Sequence, residues 1–467
     1  MQKTTKAVVC GLSVLLALGL ASCNKGPKMS KNVDPELAKE FKDVVTQADP
    51  VTKKAYDFGG INVRINDHWD SADGAHSGEP TTPAAELEQK YLTFLEQNYN
   101  VKVDMYGGLG SWGDWPEVIA NYCTTGGSEY YGFIADGRSI GAGIKANLFY
   151  DWSKADIDFS KAKWDAGVAG RVTKGSQILA ARGIAPEPRN GIFFNKRLLK
   201  EANIDPDSIY DLQKNGQWTW AAFEDLLAKV TRDTDNDGII DVWGFACNTG
   251  YLGNCTILSN GVQYVDKDAN GKYVNNFGND KVIEAMEWSG KIFQNYYKPQ
   301  PEGSNWDWFF SAFTNGETVF CIEQEYNVTG TFAGMEDDWG FVCFPVGPNG
   351  DKVKNISDDW AIVIPAIYGD EKAAKIAKAY DLMTDPIPGQ ADDAWKDGYY
   401  AQFRDERAVD ETLQYMRDDA VSSFSIDVAG VEFGHYFWNV APGYQTPQEG
   451  YEATKNEFDA AIAAMNQ

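Results

Sequence analysis

The sequence predicts an α/β protein built as two lobes. Its 467 residues are more than one compact core usually holds. Apolar residues recur with the period of a strand and then of a helix in two separate stretches, from Ile61 and again from Gly191. That alternation is the mark of βαβ units and a mostly parallel sheet. No repeat of solenoid period runs through the chain.

Residues 1–22 read as a leader. Lys3 and Lys6 precede an apolar run, Ala7 to Leu20, too short to span a bilayer comfortably. It closes on Leu20-Ala21-Ser22-Cys23, which resembles a bacterial lipobox, so Cys23 is expected to carry a diacylglycerol and to anchor the chain outside the cytoplasm on the cell membrane. Residues 23–54, rich in Lys, Asp, Pro and Asn, are expected to form a lipidated polar tether with one short helix around Glu36 to Val45.

Folded sequence is expected from residue 55. Ile61, Val63 and Ile65 alternate with polar residues as in a strand. Thr82 then caps a helix with Pro83 in its first turn and an apolar stripe of Leu87, Tyr91, Phe94 and Leu95. A second strand follows over Val101 to Met105, a helix opens at Pro116, and a third strand surrounds Phe133 and Ile134. The second block starts at Gly191-Ile-Phe-Phe194, and Thr219 caps a helix with Phe223, Leu226, Leu227 and Val230 at i, i+3, i+4 and i+7. Ala361 to Pro365 reads as a buried strand and Glu371 to Met383 as a helix.

The helix after Thr219 leads into Asp233-Thr-Asp-Asn-Asp-Gly-Ile-Ile-Asp241. Carboxylates at alternate positions converge when a glycine allows the chain to wrap a cation, and several hard oxygens suit Ca²⁺. Asp233, Asp235, Asp237, the Ile239 carbonyl and Asp241 form the expected ligand set. Gly244 stands where a complete EF-hand has Glu, and no second copy exists to make a paired sensor.

Composition limits the partners. Forty-two basic against 68 acidic residues leave a formal charge of -26, which argues against nucleic acid and anionic lipid headgroups. With Cys10 and Cys23 set aside, Cys123, Cys247, Cys255, Cys321 and Cys343 are an odd number, so at least one is unpaired in a monomer; a Cys247–Cys255 bridge is open. Three histidines and no CxxC or HExxH spacing argue against zinc.

The stretch from Gly191 through Asn195-Lys-Arg-Leu-Leu199 to Asp205, then Trp218-Thr-Trp220, the acidic loop with Trp243-Gly-Phe245, Ala312 to Ile322, and Trp339 to Pro345 with Gly347 resemble, in this order, the extracellular solute-binding proteins of ABC importers, carbohydrate type. The resemblance covers about Tyr56 to Met383. It implies a two-lobed periplasmic-binding-protein-like fold with a ligand cleft at the interface and crossings near Ile184 to Pro188 and Ser357 to Trp360. The implied layout is lobe 1 over 55–185, lobe 2 over 186–357 with the loop 233–241, a return to lobe 1 over 358–400, and a helical segment 401–467 packed mainly on lobe 2. The implied activity is capture of a sugar or oligosaccharide for a membrane permease, by a monomer and without catalysis.

Sugars present an apolar face and a rim of hydroxyls, so their sites need flat aromatic rings beside polar groups. In the family layout Trp69, Tyr326 and Trp360 are the stacking rings, Asp136 and Glu187 the acceptors, and Asn248 and Tyr251 the contribution of lobe 2. The alternatives are a secreted glycoside hydrolase or lyase, for which no nucleophile motif is present, and an adhesive surface lipoprotein.

Overall fold

The computed structural model describes residues 26–164, 171–185, 187–356, 360–421, 423, 425, 428 and 431–466. The leader 1–22, the lipid site Cys23 and positions 357–359 of the second crossing lie outside the described residues.

The strands, in chain order, are β1 (Ile61–Asn66), β2 (Val101–Tyr106), β3 (Tyr130–Asp136), β4 (Arg171–Lys174), β5 (Gln177–Ala181), β6 (Asn190–Asn195), β7 (Trp243–Cys247), β8 (Val265–Lys267), β9 (Tyr273–Asn275), β10 (Thr318–Gln324), β11 (Trp339–Cys343), β12 (Asn355–Ile356), β13 (Trp360–Val363) and β14 (Ala420–Val421). Among the described residues they form a six-stranded sheet, order β2-β1-β3-β13-β5-β4, a four-stranded sheet, order β11-β6-β10-β7, and two short pairs.

Each large sheet has its own core. Phe133, Ile134, Ile362, Ile376 and Tyr380 belong to that of lobe 1. Phe193, Phe245, Phe320 and Trp339 belong to that of lobe 2, together with Val409, Phe437 and Phe458 from the C-terminal segment. The chain crosses from β5 to β6, is back in lobe 1 at β13, and leaves lobe 1 again between Ile387, which packs on the first core, and Trp395, which packs on the second. The return to lobe 1 therefore ends before residue 400.

The sheet of lobe 1 is mixed, not mostly parallel. β1 runs parallel to β2 and β3, as helix crossovers require. β13 enters from lobe 2 and is antiparallel to β3, and β4 and β5 form an antiparallel hairpin turning at Gly175, φ +59°. The polar alternation of β1 has a local cause. Arg64 on its outer face lies 4.5 Å from the Tyr106 ring centroid and donates to the Tyr131 hydroxyl at 3.1 Å.

Helix starts follow the expected caps. Thr82 accepts from Ala85 N–H ahead of Pro83–Tyr99, and Thr219 accepts from Ala222 N–H ahead of Trp220–Val230. The cysteines at 123, 247, 255, 321 and 343 are all buried and unbridged.

The segment expected to be a polar tether is docked. Its helix is shorter than expected, Pro35–Glu40. Phe41 is fully buried, its ring 5.5 Å from Tyr91 and 5.1 Å from Phe94. Backbone N–H groups of Ser30 and Asp34 donate to Asn98 and Gln97 at 2.8 and 2.7 Å, and Lys378 reaches Gln47 at 2.6 Å. Val33 and Phe41 are buried in the core of lobe 1, and Met29, Leu37, Ala38 and Val44 pack against it, holding a largely polar stretch in place.

Candidate functional site

The carboxyl ends of β1, β2 and β3 share one edge of the lobe 1 sheet, where α/β proteins bind ligands. From β1 the chain turns through Asp67 to Asp70, carrying His68 and Trp69. From β2 it turns through a glycine-rich loop carrying Trp112. The two turns are pressed together at Gly107, whose N–H donates to Ser71 O at 2.9 Å; a Cβ there would meet Asp70 O at 1.7 Å. Trp69 and Trp112 are 73% and 53% exposed, with centroids 6.1 Å apart. The His68 ring lies 4.4 Å from both Trp69 and the buried Trp115. Burial pushes Asp70 up to about 6, helped by neighbouring Asp67.

Further along that edge, Asp136 ends β3 opposite Trp360 at the start of β13. Asp136 is buried, 6% exposed. One face of Trp360 is occupied, since the Arg182 guanidinium carbon lies 3.8 Å from its centroid. With strands about 4.8 Å apart, the row from the end of β2 to the start of β13 is roughly 14 Å long.

Lobe 2 presents the start of β6 and the ends of β10 and β7 on one edge, because β6 is antiparallel and β7 parallel to β10. Tyr326 follows β10 and is 51% exposed. Arg189, just before β6, lies 3.0 Å from Glu187, 3.4 Å from Glu325 and 5.7 Å from the Tyr326 centroid. The charges of Arg189 and Glu187 act on Asp67 and Asp70 respectively, so the first crossing and the Trp69 turn share one electrostatic environment. Asn248 caps the helix Thr249–Ser259, its Oδ1 accepting from Gly250 N–H at 2.8 Å, a structural bond beside any ligand role. Tyr251 sits half-buried in that helix's first turn.

Of the expected site residues, the structure brings Glu187 and Tyr326 together through Arg189, and sets Asp136 against Trp360. His68, Trp112, Arg182, Arg189 and Glu325 were not anticipated. Trp112 had a readable signal: an aromatic in Gly107-Gly-Leu-Gly-Ser-Trp-Gly113, directly after a strand. The arginines had none.

In the acidic loop, one oxygen each from Asp233, Asp235 and Asp237 lie within 4.8 Å of one another. Asn236 and Gly238, at φ +63° and +93°, wrap the chain around them. Asp241 departs from the expected set: its Oδ2 accepts from Thr234 N–H and Oγ1–H, both at 2.6 Å, and these bonds hold its carboxyl below the usual range.

A hollow of about 660 Å³ on lobe 2, lined by Arg197, Thr314 and Asp337, lies apart from these edges; its Arg197 and Asp337 pair with each other at 2.7 Å.

The family of bacterial extracellular solute-binding proteins matches residues 77–386, well over half of the chain. No curated protein matches it in sequence. Similar solved structures include the sugar-binding protein MalE from the phytopathogen Xanthomonas citri, 16% identical over 86% of this chain and 97% of that one, TM-score 0.58. UgpB from Mycobacterium tuberculosis in complex with glycerophosphocholine is 13% identical over 88% and 100%, TM-score 0.57. UspC from M. tuberculosis is 16% identical over 87% and 100%, TM-score 0.56. At these identities the likeness is one of fold.

Proposed function

Because the chain belongs to the bacterial extracellular solute-binding proteins, we propose that its solute is a sugar or oligosaccharide, held between the two sheet edges and delivered to an ABC transporter permease. The observation that carries the reading is the pair of sheet edges joined by the first crossing, Trp69, Trp112 and Trp360 on one and Tyr326 on the other, interleaved with carboxylates and guanidinium groups. Rings supply apolar platforms for pyranose faces and charged groups bond the hydroxyl rim. MalE from X. citri is a sugar-binding protein, which supports the reading by analogy.

A thermal-shift screen over mono- and oligosaccharides tests it. A ligand at 100 times its Kd raises stability by about 2.7 kcal/mol. Tyr326→Ala should weaken that ligand roughly thirtyfold, about 2 kcal/mol, with the apo Tm nearly unchanged because the ring is half exposed. Ligand mixtures should come through incubation chemically intact; turnover would favour the hydrolase or lyase alternative.

The acidic loop fits a divalent cation through Asp233, Asp235 and Asp237, whose carboxylates are hard donors suited to Ca²⁺ with carbonyl and water oxygens completing the shell. Asp241, turned to Thr234, is outside that set. Bound, the ion would staple a loop of lobe 2; native mass spectrometry at millimolar calcium showing no added ion would remove it. A lipid on Cys23, inferred from Leu20-Ala-Ser-Cys23, would hold the protein at the membrane surface. An unmodified mature N-terminus by mass would remove the anchor.

A further inference from the structure

Three arginines gather around the first crossing of a chain whose formal charge is -26. Two of them are engaged. Arg189 pairs with Glu187 and Glu325, and Arg182, 1% exposed, lies against Trp360 and donates to Ala185 O at 3.3 Å. The third is Arg417, in the helix Gln414–Asp418 of the C-terminal segment. Its guanidinium carbon stands 4.2 Å from the Trp395 ring centroid. The methyl of the preceding Met416 reaches the start of β6, where a Cβ on Gly191 would meet it at 2.7 Å, so this helix lies beside the first crossing. Partial burial, with the charge of Arg182 acting in the same sense, depresses the Arg417 pKa. Arg417 forms no hydrogen bond or ion pair with any described residue.

A guanidinium drawn out of water without a carboxylate is unfavourable, and a second positive charge nearby adds to the cost. Removing its water is offset only when an acceptor pairs with it. Glu187, the nearest acid on the crossing, is already taken by Arg189 at 3.0 Å. The planar fork of Arg417 therefore keeps its donors for something that arrives. Carboxylates and phosphates match that fork with two parallel N–H···O bonds, whereas a single hydroxyl uses it poorly.

We propose that Arg417 is the anion-recognition residue of the cleft, and that the solute is a sugar or polyol bearing an oxyanion, foremost the carboxylate of a uronic acid. The substrate class rests on the carbohydrate reading above. The acidic surface does not oppose it: charges farther than about 8 Å are largely screened at physiological ionic strength, and of the nearer carboxylates Glu187 and Glu325 are engaged by Arg189.

The test is calorimetry on the full chain with trigalacturonic acid, its carboxyl-reduced neutral counterpart, and glycerol 3-phosphate. The wild type should bind the acid trimer at least about tenfold more tightly than the reduced one. Arg417→Met should erase that preference, leave the reduced trimer within about twofold, and keep or raise the apo Tm, because a half-buried charge without an ion-pair partner is replaced by an apolar chain of similar length. Arg417→Lys should restore part of the preference as a point charge. Binding of glycerol 3-phosphate alone, lost in Arg417→Met, would sustain the anion site and make phosphate its source, while removing the carbohydrate reading. An unchanged acid-to-neutral ratio in Arg417→Met overturns the proposal, as does silence from every anionic probe. If neutral oligosaccharides bind while the anions are silent, the carbohydrate reading stands and only this inference falls. A large loss of apo Tm in Arg417→Met would make the arginine a structural partner of Trp395 and likewise overturn it.

Discussion

Two buried carboxylates, one in each lobe, have opposite fates. Asp381 of lobe 1 is 0% exposed, with Lys163 and Lys378 each at 2.9 Å and Lys161 at 4.0 Å. Burial opposes its ionisation, but the ammonium groups outweigh that and hold it below the usual carboxylate range. Glu323 of lobe 2, near the cleft end of β10, is 2% exposed and accepts from Gln324 N–H at 3.0 Å. Burial raises it to about 8. Its charge would bear on Cys247, Cys255, Cys321 and Tyr326, none of them cationic. The nearby arginine, Arg189, pairs with Glu187 and Glu325 instead. Burial alone therefore does not decide whether a carboxyl is charged; the cations packed beside it do.

The contrast breaks first at Asp381. Asp381→Ala leaves buried lysines without their central counter-charge and should cost about 4 kcal/mol in denaturant melts. A loss under 1 kcal/mol would mean that Asp385, 2.7 Å from both Lys161 and Lys163, takes over the network.

Glu323→Gln sharpens the other side. A carboxyl whose folded pKa lies above its unfolded value binds protons more tightly when folded, so wild-type stability falls as pH rises from about 4.5 to about 8. The amide lacks this titration. The variant should gain on the wild type across that window, by on the order of 4 kcal/mol at its upper end, and match it below pH 4.5. Parallel pH-dependent melts of the two would show an ionised Glu323.

The smallest effect is expected at Asp237, an exposed carboxylate that serves as control. In EDTA, Asp237→Ala should barely move the Tm, while the increment produced by added calcium in the wild type should vanish. An equal calcium increment in both would clear the loop of any role.

The two carboxylates also mark what a sequence reveals. Helix caps at Thr82 and Thr219, and the convergence of Asp233, Asp235 and Asp237, depend on residues a few positions apart, so local pattern sufficed. The reversed direction of β13 did not show, because its pairing with β3 joins residues more than 200 positions apart and its apolar pattern is the same in either direction. Likewise Asp381 and Glu323 look alike in sequence. Lys378, three positions before Asp381, is a local difference, but lysines 161 and 163 are brought to it only by the fold. The cleft follows the same rule. Trp69, Tyr326 and Trp360 were placed through resemblance to a family, whereas Arg417 became visible only when the structure showed which of its neighbours were already engaged.

The docked N-terminal segment bears on where the protein would sit. Val33 is the first buried side chain among the described residues, ten positions after Cys23. Ten residues span at most about 35 Å even when fully extended. A lipid on Cys23 would therefore hold lobe 1 on a short leash at the bilayer, confined to a thin shell of solution instead of sweeping the reach of a 30-residue coil. Confinement on that scale gives a membrane-embedded partner a local concentration in the millimolar range. Even a weak encounter with a permease would then be saturated, and delivery would be set by how often the cleft is filled.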